Sequence, residues 1–177
     1  SLPVRQVVFT QELPHTRRAE LEESLPAALR GNFFSLNLET VRGELEKLPW
    51  VRKVELRRVW PARLEVKVEE HRPAARWGED GLLNTRGDLF ATGARHVPPE
   101  LPLLDGPEGS HSQVAQRYLA IQGRLVEQGM RVAALRLDAR GAWELDLSNG
   151  VTVRLGRRQV DERMERFRSG EAHIVVG

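Results

Sequence analysis

A chain of 177 residues with a hydrophobic share of 40% can build one large core or two small ones. Its 27 lysines and arginines stand against 25 acidic residues, a net charge of +2, which argues against a dedicated nucleic-acid binder. The lack of cysteine excludes disulfides, cysteine-ligated zinc and thiol nucleophiles, and leaves the redox compartment open.

In chain order, Arg5 to Phe9 (RQVVF) is a β-branched run that predicts a strand, followed by a turn at Pro14-His15. Thr16 is expected to cap a helix carrying Ala19, Leu21, Leu25 and Leu29, which Pro26 bends or breaks near its end. Asn37 is the expected cap of a second helix, where Leu38, Val41, Leu45 and Leu48 recur at helical spacing until Pro49 closes it. The stretch "LPWVRKVELRRVWPARLEVKVEE" then supplies two strands, Val51 to Val59 and Arg63 to Glu69, with Pro61 in the turn. Leu64, Val66 and Val68 share one face of the second strand and the charged residues the other, so one side is dry and one wet. The first seventy residues thus read strand, helix, helix, strand, strand: a small sheet with helices over one face.

Composition shifts between Glu70 and Pro73, which sets the expected domain boundary: residues 1–70 and 71–177. "RPAARW", "GLLNTRGDLF" and "LPLLDGP" read as brief extended pieces, with turns at Asp80-Gly81, Arg86-Gly87 and Asp105-Gly106. Ser112 is expected to cap a longer helix whose apolar face is Val114, Leu119, Ile121, Leu125 and Val126, ending near Gly129. Strands follow at Val132 to Leu137, Trp143 to Leu147 and Val151 to Leu155, the last two joined by Ser148-Asn149-Gly150, a strong hairpin signal. A helix from Arg158 to Phe167 and a terminal strand with Ile174, Val175 and Val176 complete the expectation.

Catalytic and metal patterns are missing from the sequence. His15, His71, His96, His111 and His173 show no ligand spacing, and each reads as a surface or turn histidine. There is no GxSxG elbow and no phosphate-cradling GxxxxGK[ST] loop. Glu69 and Glu70 are adjacent on a strand and point to opposite faces, a poor acid/base pair, and the carboxylates are expected to be solvated. Arg52, Lys53, Arg57, Arg58 and Arg63 make a basic ribbon that could meet nucleic acid or anionic lipid headgroups, but Glu55, Glu65, Glu69 and Glu70 can pair with them across strands. Trp50, Trp60, Trp77 and Trp143 are expected as core or sheet-cover residues. No enzyme, cofactor or metal site is expected.

No run approaches the ~20 apolar residues of a membrane-spanning helix. The start at Ser1-Leu2-Pro3, with no methionine or leader, suggests an excised or processed piece of a chain whose anchor precedes it.

"LPWVRKVELRRVWPARLEVKVEEHRPAARW", Leu48 to Trp77, followed by "NTRGDLF", "LPLLDGPEGS" and "DARGAWELDLSNGVTVRLGR", resembles the periplasmic part of the FtsQ/DivIB family of bacterial cell division proteins. The resemblance implies an α+β fold: a POTRA domain (β-α-α-β-β), then a β-domain of twisted antiparallel strands with helices. It also implies a single-pass protein on the periplasmic face of the inner membrane at the division septum, anchored by an N-terminal helix absent from this chain. Its implied role is a non-enzymatic divisome scaffold whose partners are FtsB and FtsL, together with other divisome proteins. The chain departs from the family pattern at its end, where "ERMERF" and "RFRSGEAHIVVG" share Arg166-Phe167 without the family's intervening stretch, so the C-terminal part reads as abbreviated.

A terminal strand at Ser169 to Val176 would offer unpaired backbone groups to an incoming strand. The resemblance implies FtsB docking there, at Phe167, Ser169 and Gly170, with Arg140 in the turn before the W-x-L-x-L strand. Ala172, Ile174 and Val175 would be apolar anchors, and the Arg140 fork could hold a carboxylate. For the POTRA part it points to Val41, Trp50, Val51 and Val59, residues whose apolar character equally suits the domain core. The alternative function is a POTRA-type chaperone module of an outer-membrane protein assembly or secretion system.

Overall fold

The computed structural model describes residues 6–25, 36–91, 98–156 and 175–176. It divides into two compact units, Ser1–Arg72 and Pro73–Gly177.

The first unit runs β1 (Gln6–Phe9), α1 (Arg18–Glu23), α2 (Leu38–Glu46), β2 (Val51–Val59) and β3 (Arg63–Glu70), the expected order. Its three-stranded sheet has the order β1-β3-β2, with β1 parallel to β3 and β2 antiparallel. Alternation along β3 sends Leu64, Val66 and Val68 into a core with Leu21, Val41, Leu45, Val51 and Val54. Each such side chain contributes roughly 1.5–3 kcal/mol on full burial. Asn37 caps α2, its side chain accepting from the N–H groups of Glu39 (3.0 Å) and Thr40 (3.4 Å).

Thr16 does not cap α1. The cap is Arg17, whose N–H donates to Glu20 Oε2 at 3.0 Å, one half of a capping box. Thr16 is buried and its hydroxyl donates instead to Glu70 Oε2 at 2.7 Å. Glu70 also accepts from the His15 N–H, and its side chain keeps only 8% of its exposure, against the expected solvated carboxylate. An acceptor 54 residues away outcompetes the local capping geometry because it pairs two groups that are both out of water.

The second unit comprises β4 (Pro73–Trp77), β5 (Gly81–Asn84), β6 (Leu89–Ala91), β7 (Leu103–Asp105), α3 (His111–Leu125), a 3-10 turn (Val126–Gln128), β8 (Val132–Leu137), β9 (Trp143–Leu147), β10 (Val151–Leu155) and β11 (Val175–Val176). They form one eight-stranded sheet in the order β11-β10-β9-β8-β7-β4-β5-β6. The sheet is mixed. β7 runs parallel to both β4 and β8, and β7-α3-β8 is a crossover unit in which the helix returns the chain for parallel pairing. The remaining pairings are antiparallel. The β5–β6 turn is closed by Asn84, whose Oδ1 accepts from Arg86 and Asp88 N–H, both at 2.9 Å, while Gly87 takes a φ of +83°.

α3 begins at His111 rather than after Ser112. Ser110 holds the cap position, and its hydroxyl donates to the Pro107 carbonyl at 2.5 Å. The buried face is Val114, Ala115, Ile121 and Leu125, whereas Leu119 and Val126 are 61% and 62% exposed, correcting the broader face expected. At 100° per residue Leu119 stands about 140° from the Ile121–Leu125 line, and Val126 opens the 3-10 turn that ends the helix, so both face solvent. Trp143 is buried as expected, but Trp60 at the β2–β3 turn is 73% exposed, so it covers no core. The helix expected at Arg158 to Phe167 lies outside the described residues.

Candidate partner-binding edge of the second sheet

Three antiparallel strands lead to the edge. β9 pairs with β8 on one side and β10 on the other, and β10 pairs with β11 through Val151–Val176 and Thr152–Val175. The buried faces of these strands carry Leu135, Leu137, Trp143, Leu145, Leu147, Val153 and Leu155, so the sheet is fixed from below by a continuous apolar layer. The hairpin between β9 and β10 is set by Asn149, whose Oδ1 accepts from the Val151 N–H at 3.1 Å, and by Gly150 at φ +88°.

The opposite face is polar and ordered. Asp105 on β7 lies directly opposite Arg136 on β8, Arg136 opposite Glu144 on β9, and Glu144 opposite Arg154 on β10. Charge therefore alternates across four strands, the arrangement that favours cross-strand pairing. Arg136 Nη1 donates to Asp146 Oδ2 at 2.7 Å, and Asp146 Oδ1 accepts from the Thr152 hydroxyl at 2.8 Å. The Arg136 hydrogen bond holds the Asp146 carboxyl below the usual carboxylate range and raises the Arg136 guanidinium. A groove of about 620 Å³ opens over this face, lined among others by Asp138, Trp143, Glu144 and Arg154.

Arg140 occupies the β8–β9 turn and is exposed. Asp138 builds that turn: its Oδ1 accepts from Arg140 N–H at 2.8 Å and Ala142 N–H at 2.9 Å. Those backbone bonds, Ala142 foremost, hold the Asp138 carboxyl below its ordinary value, and the Arg140 charge adds to them.

Of the residues expected at the docking edge, Val175 lies in β11, the last strand of the sheet order. Phe167, Ser169, Gly170, Ala172 and Ile174 lie outside the described residues. Arg140 and Val175 are not brought together. The Asp138–Ala142 turn adjoins the Trp143–Leu155 rung, while Val175 and Val176 pair beside the β9–β10 hairpin at the other end. β11 is also two strand spacings of about 4.8 Å from β9. A partner touching both must run the length of β10, roughly 13 Å at ~3.3 Å per residue.

In the first unit, Val41 and Val51 are 0% and 4% exposed and belong to the core. Trp50 is half-buried and lies flat against His15, with ring centroids 3.7 Å apart and planes 4° from parallel. Val59 is half-exposed. The basic ribbon pairs across strands at Arg57–Glu65 (2.7 Å) and Arg52–Glu69 (2.5 Å) and within strands at Lys53–Glu55 (3.1 Å) and Arg63–Glu65 (3.2 Å), whereas Glu70, expected to join it, is held by Thr16 and His15, and Arg58 donates to the Leu36 carbonyl. Sequence reasoning overlooked the Asp105–Arg136–Glu144–Arg154 row; the signal available was the charged alternate positions of "RLD" and "WELDL", though not the parallel register that adds Asp105.

Comparison with known proteins follows the same division. The model of the C-terminal region of cell division protein FtsQ/DivIB matches residues 75–173, and that of the FtsQ-type POTRA domain matches residues 2–71. The chain is 38% identical over 167 residues to the cell division protein FtsQ of Coxiella burnetii, covering 94% of this chain and 69% of that protein. It is 36% identical to FtsQ of Allochromatium vinosum, covering 98% and 70%. With FtsQ of Xanthomonas campestris it shares 40% identity, over 93% of this chain and 59% of that one. A POTRA domain followed by the FtsQ/DivIB C-terminal region, with identity of this extent across both, means that the chain belongs to the FtsQ/DivIB family of cell division proteins.

Proposed function

We propose that this chain is a non-enzymatic scaffold of the divisome that takes FtsB and FtsL by strand addition at the β11 edge. The family gives the role in cell division. The observation carrying the finer reading is the position of β11 at the end of the eight-stranded sheet, paired with β10 on its inner side. Outer backbone groups of such a strand attract another chain's strand, which supplies affinity, while side chains supply register and choice.

Arg140 is the charged contact in this reading, a guanidinium fork on a turn fixed by Asp138, available to a partner carboxylate. Phe167, Ser169, Gly170, Ala172 and Ile174 would complete the docking segment. Trp50 and Val59 are the accessible members of the POTRA set and would serve contacts with further divisome proteins. The protein would work at the periplasmic face of the inner membrane, held by a helix outside this chain; among the described residues no helix is long and apolar enough to cross a membrane.

The test is a titration with the extracytoplasmic parts of FtsB and FtsL, comparing the whole chain with one truncated before Ser169. Truncation is expected to abolish binding while the first unit stays folded; undiminished binding refutes the edge as the site.

A further inference from the structure

Trp60 is the most exposed large hydrophobic residue among those described, at 73%. It sits at the end of the β2–β3 ribbon with exposed Pro61, half-exposed Val59 and two arginines, Arg57 and Arg63, while Arg58, opposite Leu64 on the other face, donates to the Leu36 carbonyl. Glu65 is the only carboxylate in the same stretch, from Arg57 to Glu65. Its side chain is 20% exposed, whereas those of Arg57 and Arg63 are 73% and 42% exposed. Both arginines grip this recessed carboxylate, Arg57 through Nε (3.0 Å) and Nη2 (2.7 Å) to Oε2, Arg63 through Nη2 (3.2 Å) to Oε1. Their outer surface stays cationic, because one carboxylate satisfies only part of two donor forks.

We infer that this ribbon end is a docking surface for an anionic lipid bilayer, with the Trp60 ring in the headgroup layer and Arg57 and Arg63 on lipid phosphates. An indole with an apolar body and one polar N–H favours the membrane–water interface, and flanking arginines lay their stems along it while their heads meet phosphate. A narrow convex tip suits a deformable surface better than a protein hot spot, which needs a rim of neighbouring contacts to exclude water. The topology agrees: β1 runs parallel to β3 with Gln6 opposite Arg63, and Gln6 N–H donates to the Ala62 carbonyl at 3.4 Å. Gln6, the first residue of β1, therefore lies at the same end of the sheet as Trp60. The inference rests on the membrane-proximal location proposed above; docking would orient the first unit on its tether.

The experiment is co-sedimentation of the chain with phosphatidylglycerol-containing vesicles and with phosphatidylcholine vesicles, alongside brominated-lipid quenching of tryptophan fluorescence. Wild type is expected to bind the anionic vesicles in preference, with salt-sensitive affinity. Trp60→Ser should lower partitioning by about tenfold or more and remove the quenching. Arg57→Gln should lower it by about fivefold, the worth of one cation near an anionic surface. Both substitutions are at exposed positions, and unchanged thermal melts would show the fold intact. Equal binding of wild type and Trp60→Ser, no preference for anionic lipid, or no binding at saturating lipid overturns the inference. So does a Trp60→Ser variant that keeps vesicle binding but loses capture of a divisome protein, which would make the tip a protein contact. The chain truncated before Ser169 should bind vesicles like wild type, which separates failure here from failure of the edge-docking reading.

Discussion

Arg136 Nη1 serves two carboxylates unequally: it donates to Asp146 Oδ2 at 2.7 Å and, more weakly at 3.5 Å, to Oε1 of Glu144, the residue directly opposite it on β9. Glu144 is thereby shared with Arg154, 3.6 Å away on its other side. The polar face is a relay of unequal pairs in which Arg154, 71% exposed and nearest the edge, is the most loosely held cation.

Acid should weaken this relay. The Asp146 carboxyl is depressed in the folded state, so its contribution is complete above the ordinary carboxylate pKa of about 3.9 and is lost as pH falls through the lower folded value. Asp146→Asn is expected to cost about 0.5–1 kcal/mol near neutral pH, scaled for solvent screening, and to match wild type in strong acid. Urea unfolding across pH would show the two curves converging at the acid end.

The Thr16–Glu70 pair predicts a larger loss. Thr16→Val leaves a buried carboxylate short of a 2.7 Å donor, and about 1–3 kcal/mol should go from the first unit. Asn37→Ala, by contrast, removes an exposed helix cap and should cost about 1 kcal/mol. Chemical denaturation of both variants, followed by far-UV circular dichroism, ranks them.

Gly81 is required sterically. A Cβ there would stand 2.8 Å from the Trp77 carbonyl and 3.1 Å from Leu89 Cδ1, so the β4–β5 turn must shift. Gly81→Ala should destabilise by about 1–3 kcal/mol, measured as a lowered midpoint of unfolding.

Leu119 and Ile121 should separate cleanly although they are two residues apart. Ile121→Ala removes a side chain that is 2% exposed and should cost about 2–5 kcal/mol. Leu119→Ala, at 61% exposed, should stay within about 0.5 kcal/mol of wild type. Equal losses would contradict the helix face described above.

Arg140→Glu is expected to change thermal stability little, since the turn is held by the Arg140 backbone N–H and the Arg140 charge acts on exposed Asp138 through screening solvent, and to weaken FtsB and FtsL binding by about tenfold or more. Unchanged affinity would show Arg140 to be an ordinary turn residue.

Element order was legible in the sequence because it rests on local rules: period two in Leu64, Val66 and Val68, the Asn37 cap, and Asn149-Gly150 between alternating runs. The ribbon's cross-strand pairs, Arg57–Glu65 and Arg52–Glu69, were equally legible, because such neighbours follow from the turn between β2 and β3. Thr16, Glu70, Trp60 and the Asp105–Arg136–Glu144–Arg154 row were not, since each depends on what a distant segment does. Thr16 abandons a local cap for a carboxylate on β3, and Asp105 joins its row only because α3 returns the chain to run β8 parallel to β7. Periodicity along one segment fixes which side chains share a face; which segment lies opposite, and which end of a strand meets solvent, is decided only when non-local burial selects the pairing.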